Sequence, residues 1–127
     1  MANSITTTYL VNGSRLFSAK IDIVGDGSGD ETGAEIIDVA DLTGTPSTFK
    51  IRKMQWTFDD FSATLLWDAT TDVPAFVMPS GGHGIDFSNT GAHLVNDAGT
   101  GITGKLLIAT SYLGSQKGTI FIEGQHS

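Results

Sequence analysis

Apolar and polar side chains alternate along much of this chain. In the run 17–23 the odd positions carry Phe, Ala and Ile, while the even positions carry Ser, Lys and Asp. The run 5–11 alternates in the same way, and one face is predicted to hold Ile5, Thr7, Tyr9 and Val11. A period of two is typical of a β-strand with one buried face. The Asn12-Gly13 pair between the runs favours a type I′ hairpin turn, which the next two residues could lengthen.

Further apolar runs continue the pattern. Short strands are predicted at 49–58, 63–67, 73–78, 106–109 and 119–123, and the stretch 34–42 is interpreted as a strand or a helical turn. Within 49–58 the apolar positions change from odd to even. This change indicates a β-bulge near Arg52 and Lys53, or a strand buried on both faces. The region 81–104 is predicted as a long polar loop with isolated apolar anchors at Ile85, Phe87, Leu94, Val95 and Ile102.

These elements predict an all-β protein. About eight short strands at spacings near a dozen residues, with no stretch of helical period, indicate a β-sandwich or a jelly-roll-like barrel. The 127 residues suffice for one core, so 1–127 is predicted as a single β domain whose N-terminal arm, 1–8, could be extended. The predicted core consists of Phe17, Ile21, Ile23, Ile51, Trp56, Leu65, Trp67, Ile108 and Ile122.

The composition of the chain disfavours several classes of function. Hydrophobic residues make up 39% of the chain and charged residues 17%, which suits a packed domain. The absence of Cys excludes disulfides and thiolate metal sites. The formal net charge of −7, with scattered Lys and Arg, disfavours binding to nucleic acid. No apolar run approaches the roughly 20 residues of a membrane span, and the N-terminus lacks a signal-peptide layout. We therefore expect no membrane association and synthesis in the cytoplasm without export.

Catalytic signatures are missing from the sequence. The histidines His83, His93 and His126 lack the spacing of paired metal ligands and are predicted to be polar residues of loops or of the C-terminus. No G-x-S-x-G nucleophile elbow occurs. The carboxylates of Asp59 and Asp60 would point to opposite faces of a strand, so this pair is interpreted as a turn. We expect neither enzymatic activity nor a cofactor.

One loop has part of a calcium-binding pattern. Asp26, Ser28 and Asp30 place oxygen atoms at alternate positions, as in the first half of a calcium loop. Ile37 stands where an EF-hand needs its bidentate acid, so a solvated Gly/Asp turn is the preferred interpretation, no metal is expected, and calcium is the alternative. With an exposed tryptophan, this loop would define a calcium-dependent carbohydrate-binding module. Trp56 and Trp67 instead share the phase of predicted core residues.

Two stretches carry a resemblance to a known group of proteins. Residues 65–82 read LLWDATTDVPAFVMPSGG, and residues 96–110 read NDAGTGITGKLLIAT. A strand ending in Trp-Asp, a TDVP-like turn, a Gly-rich loop and an N-x-A-G-x-G-x-T-G loop are similar to a pattern in short structural proteins of tailed-bacteriophage virions. The matching positions are Trp67, Asp68, Thr71, Asp72, Val73, Pro74, Asn96, Ala98, Gly99, Gly101, Thr103 and Gly104.

The resemblance implies fold-specifying turns at these positions and a function by contact. Such proteins are decoration or cement proteins on the outer capsid surface, or tail and connector components. We therefore expect a capsid decoration protein of the virion. Its expected partners are the major capsid protein and further copies of the chain, in a homo-oligomer such as a trimer. Residues 2–8 could add a strand to a neighbour's sheet. The C-terminal FIEGQHS departs from the more basic ending of the pattern, so a basic C-terminal contact does not carry over.

Overall fold

The structure, a computed structural model, describes residues 3–44, 46, 48–87, 94–96 and 101–126. Within these ranges it contains nine antiparallel strands and a short 3₁₀ turn, Val39–Asp41. The strands are β1 Ser4–Asn12, β2 Leu16–Val24, β3 Thr32–Asp38, β4 Lys50–Phe58, β5 Ser62–Trp67, β6 Val73–Met78, β7 Gly81–Asp86, β8 Lys105–Ser111 and β9 Lys117–Gln125.

The strands form two sheets around one hydrophobic core. The five-stranded sheet has the order β1-β2-β9-β4-β7, and the four-stranded sheet has the order β3-β8-β5-β6. Without the edge strand β1, this is the strand order of a jelly roll built from two Greek keys. Buried residues from both sheets belong to a single cluster. The predicted fold class, an all-β sandwich of jelly-roll type, is therefore confirmed.

Strand alternation places every second side chain of the central strands in this core. The buried residues of β2 include Phe17, Ile21 and Ile23, as the pattern predicts. Every residue that the sequence predicted as core is buried. The ring of Phe49 joins the sheets, since its centroid lies 5.3 Å from that of Phe17 and 5.5 Å from that of Trp67. Burial of this apolar surface is the main stabilising term for a chain that has no disulfide.

A β-bulge in β1 changes which of its side chains face inward. The register between β1 and β2 shifts between Tyr9 and Val11, so that Val11 pairs with Ser18 and lies on the face opposite to Tyr9. Val11 is 54% exposed, and its predicted place beside Tyr9 is wrong. The hairpin loop is the longer of the two that the sequence allowed, because β2 begins only at Leu16, whose carbonyl accepts a 2.9 Å hydrogen bond from Gly13 N.

Two local expectations are confirmed. The register between β4 and β9 shifts between Ile51 and Lys53, where a β-bulge was predicted. The stretch 34–42 contains both of its alternatives, because β3 continues to Asp38 and the 3₁₀ turn follows. The Asp38 side chain accepts a 3.0 Å hydrogen bond from Ala40 N and so caps that turn.

The region 81–104 is only partly a loop. Its first residues form β7, which pairs with β4. This pairing uses backbone hydrogen bonds, and glycines make these as well as other residues do. Leu94 continues this edge through reciprocal bonds with Ile51, 2.9 and 3.0 Å long. Ile85, Phe87 and Leu94 pack against the core as predicted. Val95 and Ile102 are exposed, so the anchor role predicted for them is wrong.

The N-terminal residues lie in a sheet. Ser4 to Thr8 form the first part of β1, which pairs with β2 at the edge of the five-stranded sheet. The Thr7 hydroxyl donates a 2.6 Å hydrogen bond to the Ile36 carbonyl of the other sheet. Strand addition to a neighbouring molecule by residues 2–8 stays a prediction.

Candidate functional site

The loops alternate between the two ends of the sandwich, because consecutive strands run antiparallel. We call one end the Tyr112 end and the opposite end the Asp68 end. The Tyr112 end is formed by residues 25–31, 59–61, 79–80 and 112–116, and the Asp68 end by 13–15, 39–44, 68–72 and 101–104. Each end holds one group of residues that the sequence analysis singled out.

At the Tyr112 end, Asp30 holds the loop between β8 and β9. Its Oδ1 accepts a 2.7 Å hydrogen bond from Leu113 N, and its Oδ2 accepts one of 3.2 Å from Tyr112 N. The Thr110 hydroxyl donates to Oδ1 at 3.2 Å. The Leu113 amide, the strongest influence, and the other donors hold the pKa of Asp30 below its ordinary value. Asp30 therefore acts as a structural clamp on this loop.

The clamped loop presents Tyr112 to solvent. Tyr112 is 84% exposed, and its φ of 66° lies in the left-handed region, which bulky residues rarely adopt. Asp60 has a φ of 62°, and these two are the non-glycine residues with positive φ in the described part of the chain. Both line one cavity of about 400 Å³, together with Phe61, Ser62, Ser80 and Gln116. Strained backbone of this kind concentrates at functional sites, so the Tyr112 end is a candidate contact surface.

The calcium candidate lies at the same end. Asp26 Oδ1 accepts a 2.9 Å hydrogen bond from Ser28 N, and hydrogen bonds from Ser28 lower the pKa of Asp26. The carboxylate of Asp30 is occupied by the Tyr112 loop, as described above. Among the residues that the structure describes, no three His, Asp or Glu side chains are grouped so that they could hold a metal ion. The solvated Gly/Asp turn remains the preferred interpretation of this loop, and a calcium site at Asp26, Ser28 and Asp30 stays a hypothesis.

At the Asp68 end, the two stretches that carry the phage resemblance pack against each other. The Thr103 hydroxyl donates a 2.7 Å hydrogen bond to Asp68 Oδ2. Asp68 N donates to the Lys105 carbonyl at 3.1 Å, and Thr103 N donates to the Asp68 carbonyl at 3.2 Å. Turns distant in sequence, 67–74 and 101–104, thus form one unit.

Glycine is required where these turns meet. Gly101 has a φ of +84°, and a Cβ on it would lie 2.8 Å from Thr70 N, too close for any side chain. Gly104 also has a positive φ, +81°. Asp72 accepts a 3.2 Å hydrogen bond from Ala69 N and so closes the first turn. The geometry accounts for Asp and Gly at these matching positions as turn residues.

The structure also describes the surroundings of other residues that match the phage pattern. Trp67 is 1% exposed and packs on Phe49. Pro74 lies in β6, which is an edge strand. Proline has no backbone N–H, and its absence there removes no hydrogen bond between two central strands of the sheet. Asn96 is half-buried. Ala98 and Gly99 lie outside the described residues.

The histidines differ from one another. The loop position predicted for His83 is wrong, because this residue lies on strand β7, where it is exposed and its Nε2 is 3.0 Å from the Ser80 carbonyl oxygen. His126 follows the last strand near the C-terminus, as predicted, and is only 5% exposed. It is buried because its backbone N donates a 2.7 Å hydrogen bond to the Arg15 carbonyl and its ring stacks on Phe17. His93 lies outside the described residues.

Neither tryptophan offers an exposed platform for a sugar. Trp56 is 5% exposed and Trp67 1%, which agrees with their predicted core phase. The Trp56 indole donates a 3.0 Å hydrogen bond to the Pro79 carbonyl. Neither residue therefore supplies the exposed tryptophan that a carbohydrate-binding module would use.

Exposed apolar residues collect at the tip of the β1–β2 hairpin. Leu10 is 55% exposed and Leu16 43%, and Val11, turned outward by the bulge, lies near them on the hairpin. We call these three residues the hairpin patch. Exposed apolar side chains grouped on one hairpin make it a candidate surface for contact with another protein. The alternation of apolar and polar residues did not predict this patch. It places Val11 on the inner face, whereas the bulge turns Val11 outward.

Within the described residues, no helix is long and apolar enough to cross a membrane.

Comparisons with known proteins give no family for this chain. No protein-family model matches it, and no curated protein matches it. Among solved structures, it is similar to the crystal structure of a cupin domain from Bordetella pertussis Tohama I. The TM-score is 0.39 and the sequence identity 8%, over 100% of this chain and 97% of that chain. So low a TM-score carries no argument, and the jelly-roll assignment rests on the strand order.

Proposed function

We propose that this chain is a structural protein of a tailed-phage virion, and specifically a decoration or cement protein that binds the major capsid protein on the outside of the capsid. The resemblance at 67–74 and 96–104 carries this proposal. The packing of Asp68 on Thr103 and of Gly101 on Thr70 supports it, because it gives a physical reason for those residue types at those positions.

A decoration protein acts through contact surfaces, and the Tyr112 end is the candidate for the contact with the capsid. Tyrosine is enriched among the residues that dominate binding energy at protein interfaces. Tyr112 is 84% exposed, while its backbone is already held by Asp30, so binding would order little additional main chain. The hairpin patch is the candidate for contacts between copies of the chain.

The charge of the chain supports a position outside the capsid. A surface with a formal net charge of −7 is repelled by the phosphates of packaged DNA. A tail or connector component would satisfy the same argument, so copy number separates the two roles.

Quantitative mass spectrometry of purified particles tests the proposal. A copy number close to that of the major capsid protein supports decoration. A few copies up to a few dozen would assign the chain to the tail or connector, and absence from the particle would refute both roles.

The contact surface is tested separately with capsids that lack the protein. Tyr112→Ala should weaken rebinding, whereas Val77→Ala, a truncation at a residue 65% exposed on β6, should not. Equal rebinding by both variants would exclude the Tyr112 end as the capsid contact, while leaving the copy-number test unaffected.

A further inference from the structure

A second cavity lies where the end of β9 meets the β1–β2 loop and the start of β4. Its volume is about 230 Å³, and it is lined by Arg15, Thr48, Phe49, Lys50, Gln125 and His126. Backbone pairing holds the three segments together, because His126 N donates to the Arg15 carbonyl at 2.7 Å and Lys50 lies opposite Gln125 in the sheet. The positions of the lining residues are therefore set by the sandwich itself.

Among the described residues, the lining is rich in hydrogen-bond donors and contains no carboxylate. The chain has fourteen Asp and Glu residues and a net charge of −7, yet two of its seven Lys and Arg residues line this one cavity. Lys20 and Lys105 each pair with an acid, whereas Arg15 and Lys50 form no ion pair with any other described residue. The cavity thus has the charge opposite to that of the chain as a whole.

The imidazole of His126 is the buried polar group of this lining. Neither of its ring nitrogens has a hydrogen-bond partner among the described residues, although the side chain is buried. The ring stacks on Phe17, with centroids 6.4 Å apart and planes at 29°, so its orientation is fixed by the core. A buried polar group without a partner costs free energy, which a ligand in the adjoining cavity can recover.

We propose that this cavity binds one oxyanion group, a carboxylate or a phosphate. Arg15 and Lys50 supply positive charge, the exposed Thr48 hydroxyl supplies a further donor, and the buried His126 imidazole supplies an N–H that lacks an acceptor. A volume of about 230 Å³ is below the range of roughly 300–1,000 Å³ typical of sites for whole cofactors. A single anionic group, with a few waters, fits this space. The proposal does not depend on the virion function proposed above.

Titration of the full chain with sodium phosphate or sodium acetate tests the site, at constant pH and with ionic strength held constant by sodium chloride. The readout is the Cε1–H resonance of His126 in ¹H–¹³C NMR spectra, assigned by elimination with His83→Gln and His93→Gln. We expect a saturable shift at His126 and none at the other two histidines. Saturation with phosphate, with acetate or with both supports the proposal and assigns the preferred group.

Three charge-removing variants make the test specific. Arg15→Gln and Lys50→Gln change exposed side chains and should each weaken binding by roughly three- to tenfold. Lys117→Gln removes the same charge at the Tyr112 end and should leave the affinity unchanged, because only long-range attraction is altered. A non-saturating response of His126 to both anions would overturn the proposal. Equal weakening by all three variants would also overturn it, since binding would then reflect overall charge alone.

Discussion

Gly124 has no room for a side chain, and Gly124→Ala is therefore expected to destabilise the protein. A Cβ on Gly124 would overlap the Phe17 ring and lie 3.0 Å from the Lys50 carbonyl oxygen. The ring cannot move aside without cost, because Phe17 is 1% exposed and is held between Phe49 and His126. The added methyl group must therefore displace packed core atoms.

The expected cost is that of overpacking a core, about 1–3 kcal/mol. For a domain of this length, each kcal/mol lowers Tm by roughly 3–5 °C, so the total decrease should be about 3–15 °C. Gly82→Ala is the matched control in another strand, since a Cβ there would lie 3.8 Å from Thr57 Oγ1, an ordinary contact. This control should change the free energy of unfolding by less than about 0.5 kcal/mol.

Urea denaturation followed by tryptophan fluorescence measures both variants, with thermal unfolding as a second reading. The double variant Gly124→Ala/Phe17→Leu identifies the cause, because removing the ring should reduce the additional cost of the methyl group. Equal stability of Gly124→Ala and Gly82→Ala would refute the argument. A cost that is unchanged in the Phe17→Leu background would show that the clash with the ring is not its source.

Three further predictions concern other parts of the fold. Trp67→Ala should cost about 3–5 kcal/mol, because the indole is 1% exposed; a loss below about 1 kcal/mol in urea denaturation would contradict its core position. The pKa of Asp30 is lowered in the folded protein, chiefly by the hydrogen bond from the Leu113 amide. The Asp30 carboxylate therefore stabilises the fold fully above the unfolded-state pKa of about 3.9. This stabilisation is lost as pH falls through the lower folded-state pKa. Asp30→Asn should therefore weaken the acid dependence of the urea midpoint below about pH 4, and an unchanged profile would contradict this role. Asp60→Gly should raise stability by about 0.5–1 kcal/mol by relieving the left-handed backbone, whereas Asp59→Gly should not; a loss at Asp60 would show that its side chain matters more than the strain.

Local pattern was enough to predict most strands and the core. The alternation in 17–23 places Phe17, Ile21 and Ile23 inside, and the change of phase in 49–58 correctly indicates a bulge. These inferences succeed because side-chain direction in a strand depends on neighbouring residues only. The strand β7 was not predicted, because residues 81–84 have no alternation of apolar and polar side chains. They form a strand because their backbone pairs with the distant strand β4.

The sequence by itself determined the fold class, the core and the turn residues of the phage-like stretches, because each depends on residue type and local spacing. The tertiary structure alone decided which loops meet. Asp30 was recognised as an oxygen ligand in a loop, but its contact with the Tyr112 loop joins residues 82 apart in sequence. The oxyanion cavity likewise brings together Arg15, Lys50 and His126 from three distant segments. Such sites cannot be predicted from spacing, because the sheet order that brings these segments together is set by long-range pairing.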